Sequence, residues 1–159
     1  RGELVVGPTA LCSQQRQMFV DAGVPIQISD NVLGALWAKL ILNCAYNALS
    51  AISQIPYGRL FASYGVEAVM RDVIQECRAV AQAAGVNVPG DDWETVQLIS
   101  RSMSQQFSST AQDLARHKPS EIDHLNGYIV RKGEALGIPT PVNRVLHTLV
   151  KLLESRIVR

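Results

Sequence analysis

Leu36-Trp37-Ala38-Lys39-Leu40-Ile41-Leu42-Asn43-Cys44-Ala45-Tyr46-Asn47-Ala48-Leu49 is an apolar run with three polar residues spaced by four. Residues four apart stack on one side of an α-helix, so Lys39, Asn43 and Asn47 share a stripe. The Leu, Ile, Trp, Ala and Cys around them are residue types that fold inward. A buried ammonium is costly without a partner, and buried amides need hydrogen bonds. The stripe therefore asks for a polar ligand or a matching polar surface. The plainer reading is that Lys39 snorkels to water along its own stem and the asparagines bond a neighbouring helix.

Working outward, helical periodicity dominates after residue 30. The first long helix is expected from about Val32 to Ser53, stopped by Pro56-Tyr57-Gly58. A second is expected from Val66 to Ala84, with Val66, Val69, Met70, Val73, Ile74, Cys77, Val80 and Ala81 on one face and Gly85 as its stop. Asp91-Asp92-Trp93-Glu94 reads as a capping box opening a third. Ser108-Ser109 precedes a short helix that must end near Lys118-Pro119. Ser120-Glu121-Ile122-Asp123 reads as the cap and first turn of a helix running to Leu136, closed by Gly137. The last helix is expected from Pro141 to Ile157.

Before residue 30 the pattern differs. Glu3 to Val6 is a short apolar run closed by Gly7-Pro8, Ser13 to Ala22 is helical up to Gly23, and Val24 to Ile28 reads as a short strand. Strand, helix, strand in so few residues cannot hold a sheet alone. The expected architecture is a compact all-α domain, residues 31–159, behind an α/β stub, residues 1–30.

Composition narrows the partners. The chain has 159 residues, 47% hydrophobic and 18% charged, enough for one sizeable core. Fifteen basic and 14 acidic residues leave a net charge of +1, which gives no electrostatic footprint for nucleic acid. No apolar run is expected to reach membrane-spanning length, and residues 1–7 lack the core of a signal peptide. Cys12, Cys44 and Cys77 have no metal or redox spacing, and Cys44 and Cys77 fall in apolar helical patterns, as expected of a reducing, cytoplasmic setting. His117, His124 and His147 show no metal-ligand spacing and read as surface or cap residues, so no metal site is expected. Ser109, near a helix start, suits a carboxylate, although a plain cap explains it as well. Glu121, in a first turn, is stabilised by the helix dipole in any case.

Four motifs in order then resemble the ketopantoate reductase (2-dehydropantoate 2-reductase) family. They are Trp37-x-Lys39-Leu40-x-x-Asn43-x-x-x-Asn47; Ser108-Ser109 with Asp113; Ser120-Glu121-Ile122-Asp123-x-x-Asn126-Gly127; and Gly137-Ile138-Pro139-Thr140-Pro141-x-Asn143. The resemblance implies a helical domain of the 6-phosphogluconate dehydrogenase C-terminal type, preceded by the tail of an NADP-binding Rossmann domain. It implies reduction of a 2-keto acid, ketopantoate, to pantoate with NADPH, in the pathway to pantothenate and coenzyme A. Lys39 would be the general acid at the ketone oxygen. Asn43, Asn47 and Ser109 would hold the substrate's hydroxyl and carboxylate, and Glu121 would lie near the cofactor ribose. A homodimer through the helical domain is implied, with no nucleic-acid or membrane partner.

Two departures qualify this resemblance. Tyr57 stands where some members carry a polar residue near the substrate. No two glycines are spaced Gly-x-Gly, so the dinucleotide fingerprint is missing, and the chain has no initiating methionine. The chain is thus expected to be a fragment without its nucleotide-binding domain, and inactive alone. Two other readings stay open: a reductase of another 2-keto acid within the β-hydroxyacid dehydrogenase-like group, and a non-enzymatic helical dimerisation module.

Overall fold

A computed structural model describes residues 4–8 and 12–157. Glu3 and the other residues at the margins of these spans lie outside the description, as does the side chain of Cys12. The stub is a βαβ unit. Strand β1 (Leu4–Val6) pairs in parallel with β2 (Ile26–Ile28), Leu4 opposite Ile26 and Val6 opposite Ile28, and α1 (Cys12–Asp21) lies between them in sequence. Parallel strands need such a crossover.

The rest is helical: α2 (Val32–Ser53), α3 (Tyr57–Phe61), α4 (Val66–Ala83), α5 (Asp92–Ser102), α6 (Ser109–Ala115), a 3₁₀ turn (Ile122–His124), α7 (Asn126–Leu136) and α8 (Pro141–Ile157). Helix α2 is the axis, packing against α4, α6, α8 and α5. Asn31 starts it by accepting from the Gly34 N–H and donating from its own side chain to the Asn87 carbonyl. By length and composition α2 is apolar enough to cross a membrane. That corrects the expectation that no apolar run would reach such length; here its neighbours are other helices of the bundle.

Ile41, Cys44, Ala45 and Ala48 of α2 meet Met70, Val73, Cys77, Val80 and Ala81 of α4, and all are fully or almost fully buried. Each large side chain in such a core contributes about 1.5–3 kcal/mol. The expected α4 face is the observed one. Asp91 caps α5 through the N–H groups of Trp93 and Glu94, and Gly137 ends α7 in the left-handed conformation.

Three details differ from expectation. The short helix α3 follows Pro56 where a stop was expected. The expected helix from Ser120 to Leu136 is broken: a 3₁₀ turn comes first, and Leu125 has φ −104° and ψ −107° before α7 begins. The break turns Asn126 into the core, where its amide donates to the Cys44 carbonyl and to Asn143 Oδ1. Third, His147 is more than a surface or cap residue: it is partly buried and paired with Asp123.

Candidate active site

The stripe on α2 runs from solvent into the core. Lys39 is exposed, Asn43 half-buried and Asn47 buried, over roughly 12 Å of helix. The premise that Lys39 is buried is therefore corrected, and the burial argument holds for Asn47. The side chains of Lys39 and Asn43 have no hydrogen bond or ion pair with any described residue. Leu33 and Leu36, on the turns before Lys39, are 56% and 59% exposed, so apolar surface adjoins the free ammonium.

Helix α6 is sewn to the inner end of the stripe. Ser108 is its N-cap: Oγ accepts from the Ala111 N–H and donates to the Asn47 carbonyl at 3.2 Å. The Ser108 N–H donates to Ser50 Oγ, which itself donates to the Ile55 carbonyl. Because Ser108 does the capping, Ser109 is left at the first helical position with its hydroxyl free for other contacts. Asn47 Nδ2 donates to Ser109 Oγ and to Thr110 Oγ1, each at 3.2 Å. Ser109 is exposed, whereas Thr110 is buried. The structure thus joins Ser109 to Asn47, which helical spacing alone could not guarantee.

Glu121 stands apart. It is exposed and caps the 3₁₀ turn, its carbonyl accepting from the His124 N–H, while its side chain has no hydrogen bond or ion pair with any described residue, Lys39, Asn43, Asn47 and Ser109 included. Its turn is anchored from behind. The Ser120 N–H and hydroxyl both donate to Glu154 Oε1, at 2.8 and 2.7 Å. Lys151 bridges Glu154 and Asp123, and His147 Nε2 lies 2.7 Å from Asp123 Oδ1. Hydrogen bonds from Lys151 and then His147 hold the Asp123 carboxyl down at about 2. Burial pushes Glu154 upward, but bonds from Lys151 and Ser120 outweigh it and leave it below the usual carboxylate range.

Sequence reasoning missed this cluster and Thr110. His147, Lys151 and Glu154 do share one face of α8 by spacing, which is a usable signal. Tyr57 is taken up by packing: its ring lies 4.5 Å from that of Tyr46, and burial pushes its hydroxyl pKa up. Among the described residues no cluster of three or more His, Cys, Asp or Glu could hold a metal. The arrangement can offer a cation, one amide without a partner, and an amide–hydroxyl pair along one line, which suits a small, oxygen-rich anion.

Residues 31–154 match the family model "Ketopantoate reductase PanE/ApbA C terminal". The chain is 36% identical over 154 residues to the 2-dehydropantoate 2-reductase of Pyrobaculum aerophilum, covering 97% of this chain and 54% of that protein. It is 35% identical to that of Vibrio cholerae, with coverages of 97% and 53%. The crystal structure of a PanE/ApbA family ketopantoate reductase from Ralstonia eutropha JMP134 superposes with a TM-score of 0.96 at 63% identity, over 100% of this chain and 53% of that one. D-mandelate dehydrogenase in complex with NADH shares the fold, with a TM-score of 0.84 at 24% identity over 93% of this chain and 52% of that one. The chain spans about half the length of the curated relatives it matches. With the family model covering α2 to α8, this chain belongs to the ketopantoate reductase family as its helical C-terminal part.

Proposed function

We propose that this chain is the substrate-holding half of an NADPH-dependent 2-dehydropantoate 2-reductase, which reduces ketopantoate to pantoate on the way to pantothenate and coenzyme A. One observation carries the reading. The side chains of Lys39 and Asn43 lack partners among the described residues, on the same helix whose Asn47 is already joined to Ser109. A lysine closed in an ion pair would have favoured the interface module instead. Residues 1–30 are in this reading the end of a nucleotide-binding domain, and residues 31–159 the substrate and dimerisation domain.

The residues fit the substrate end of such a reaction. The cofactor's phosphate cradle is not among them, since no Gly-x-Gly occurs and the described sheet has two strands. Glu121, exposed and unpartnered, is available to a ribose hydroxyl. A bound nicotinamide supplies the hydride. The ketone oxygen then becomes negative, and Lys39 stabilises that charge and delivers the proton. Asn43, Asn47 and Ser109 bind the hydroxyl and carboxylate and fix the carbonyl against Lys39. Neutral amides and hydroxyls orient the substrate without competing for the proton.

The test is ketopantoate-dependent NADPH oxidation by the intact protein, with pantoate identified as product. Turnover of a different 2-keto acid in preference would replace the substrate, and turnover of none would overturn the reading. The 159 residues by themselves are expected to give no NADPH oxidation above background, and a measurable rate would refute that part.

A further inference from the structure

We infer that Glu154, on α8, is a positioning residue for Glu121: it fixes the turn that presents the Glu121 carboxylate, and with it the affinity for the cofactor. This role rests on the reductase reading above, in which Glu121 meets the cofactor ribose. Glu121 is exposed and its side chain has no partner among the described residues, so it falls to the backbone to fix where the carboxylate stands. That backbone is pinned on both sides. One residue before it, the Ser120 N–H and hydroxyl both donate to Glu154 Oε1, at 2.8 and 2.7 Å. Two residues after it, the Asp123 carboxylate accepts from Lys151 Nζ at 2.8 Å and lies 2.7 Å from His147 Nε2. The Asp123 carbonyl also accepts from Arg131 Nη2, at 2.7 Å.

The donor and acceptor roles in this clamp are unambiguous. An ionised carboxylate only accepts, so the Ser120 hydroxyl donates to Glu154. The same hydroxyl oxygen then accepts from the Ile122 N–H at 3.3 Å, across Glu121. Glu154 is 8% exposed, and its other oxygen, Oε2, accepts from Lys151 at 2.7 Å. Because Lys151 also reaches Asp123, one helix holds both ends of the turn. Hydrogen bonds to ionised groups are about twice as strong as neutral ones, which suits them to hold a short, exposed segment. A ligand-binding carboxylate carried on a fixed backbone loses less freedom when it meets its partner, and so binds more tightly.

The experiment measures NADPH binding to the intact protein by nicotinamide fluorescence, with no keto acid present. Glu121→Ala should raise the Kd for NADPH about tenfold, as expected for one lost hydrogen bond to a charged group. Ser120→Ala, which removes the hydroxyl anchor and keeps the backbone one, should raise it about threefold. Glu154→Ala, which removes both anchors, should raise it about fivefold or more. Ser120→Thr, which keeps the hydroxyl, should bind as the unsubstituted protein does. The deciding readout is a double-mutant cycle. In a Glu121→Ala background neither Ser120→Ala nor Glu154→Ala should raise the Kd further, because each acts through Glu121. A purely structural clamp would instead weaken binding in that background too. Should Glu154→Ala fail to fold, Ser120→Ala and Ser120→Thr carry the test. A Kd unchanged in Ser120→Ala, a further rise in the Glu121→Ala background, or a Kd raised as much in Ser120→Thr as in Ser120→Ala would overturn the inference. An unchanged Kd in Glu121→Ala would overturn it together with the ribose assignment, while ketopantoate turnover by the unsubstituted protein would keep the reductase reading in place. The expected cycle with turnover of no keto acid would overturn the reductase reading and leave the clamp standing. No NADPH binding by the intact protein would overturn both.

Discussion

Lys39 and Asn47 sit on one stripe but in different physical settings. Lys39 is exposed and unpaired, so removing its amine leaves no buried charge behind and little structure to disturb. Lys39→Ala in the intact protein should therefore fold normally, bind NADPH nearly as before, and lose at least about a hundredfold in kcat, the low end for a positioned general acid. A variant within a few-fold of the unsubstituted rate would mean the lysine only snorkels. Gly127 shows the opposite case, a residue whose role is purely spatial. A methyl group there would lie 2.8 Å from His147 Nε2 and 3.2 Å from the Ile122 carbonyl. Gly127→Ala must push His147 away from Asp123, and should cost about 1–3 kcal/mol in denaturant unfolding.

Helix α6 brings Ser109 to the stripe, and Ser108 both caps it and ties it to α2. Ser108→Ala removes both the cap and the bond to the Asn47 carbonyl. A loss of about 1–2 kcal/mol is expected in unfolding, typical of a cap with added tertiary contacts. Turnover should fall as well, since Ser109 loses its fixed start. The long elements were legible beforehand because periodicity and end signals agreed: Asp91 before α5, Gly137 after α7, Pro141 opening α8. The break at Leu125 was not, because nothing local forbids a helix from Ser120 to Leu136. It is imposed by Asn126 reaching Asn143 and the Cys44 carbonyl across the core. The site divides in the same way. Spacing along α2 aligned Lys39, Asn43 and Asn47, whereas the approach of Ser109 depends on Ser108 and Ser50, more than fifty residues apart in sequence. The Asp123 cluster likewise joins α8 to a turn over 20 residues earlier.

That cluster ties the end of the bundle together, so it links the stability of the whole molecule to pH. The Asp123 carboxyl is lowered from 3.8 to about 2 by Lys151 and His147. A carboxylate depressed on folding contributes fully above its unfolded value and loses the contribution as pH falls through the folded one. The gap in unfolding midpoint between the unsubstituted chain and Asp123→Asn should thus be open at pH 5 and shrink between about pH 4 and 2. Because Asp123 is partly exposed, salt should narrow the gap too. A gap independent of pH would place the stabilisation elsewhere.

The surface of the bundle argues that the isolated chain does not stay monomeric. On α8, Val145, Leu149 and Leu152 are 57%, 41% and 55% exposed and fall at i, i+4 and i+7, one continuous face. Leu33 and Leu36 form a second apolar face beside Lys39. Apolar faces of this kind draw partners, and a helix face meeting its own copy across a two-fold axis closes into a dimer. Light scattering at high concentration should give a mass well above 17.4 kDa, the mass of a single chain. Two variants separate the faces. Leu149→Glu with Leu152→Glu should return the chain to a monomer if α8 is the contact. Leu36→Glu should not, because in the proposed reading the face beside Lys39 stays open to the substrate and to the hydride donor. Dissociation by Leu36→Glu alone would mean that the chain associates by covering its own candidate site. The dimer would then be a product of isolation rather than a property of the enzyme, and the α8 face would lose its claim as the interface.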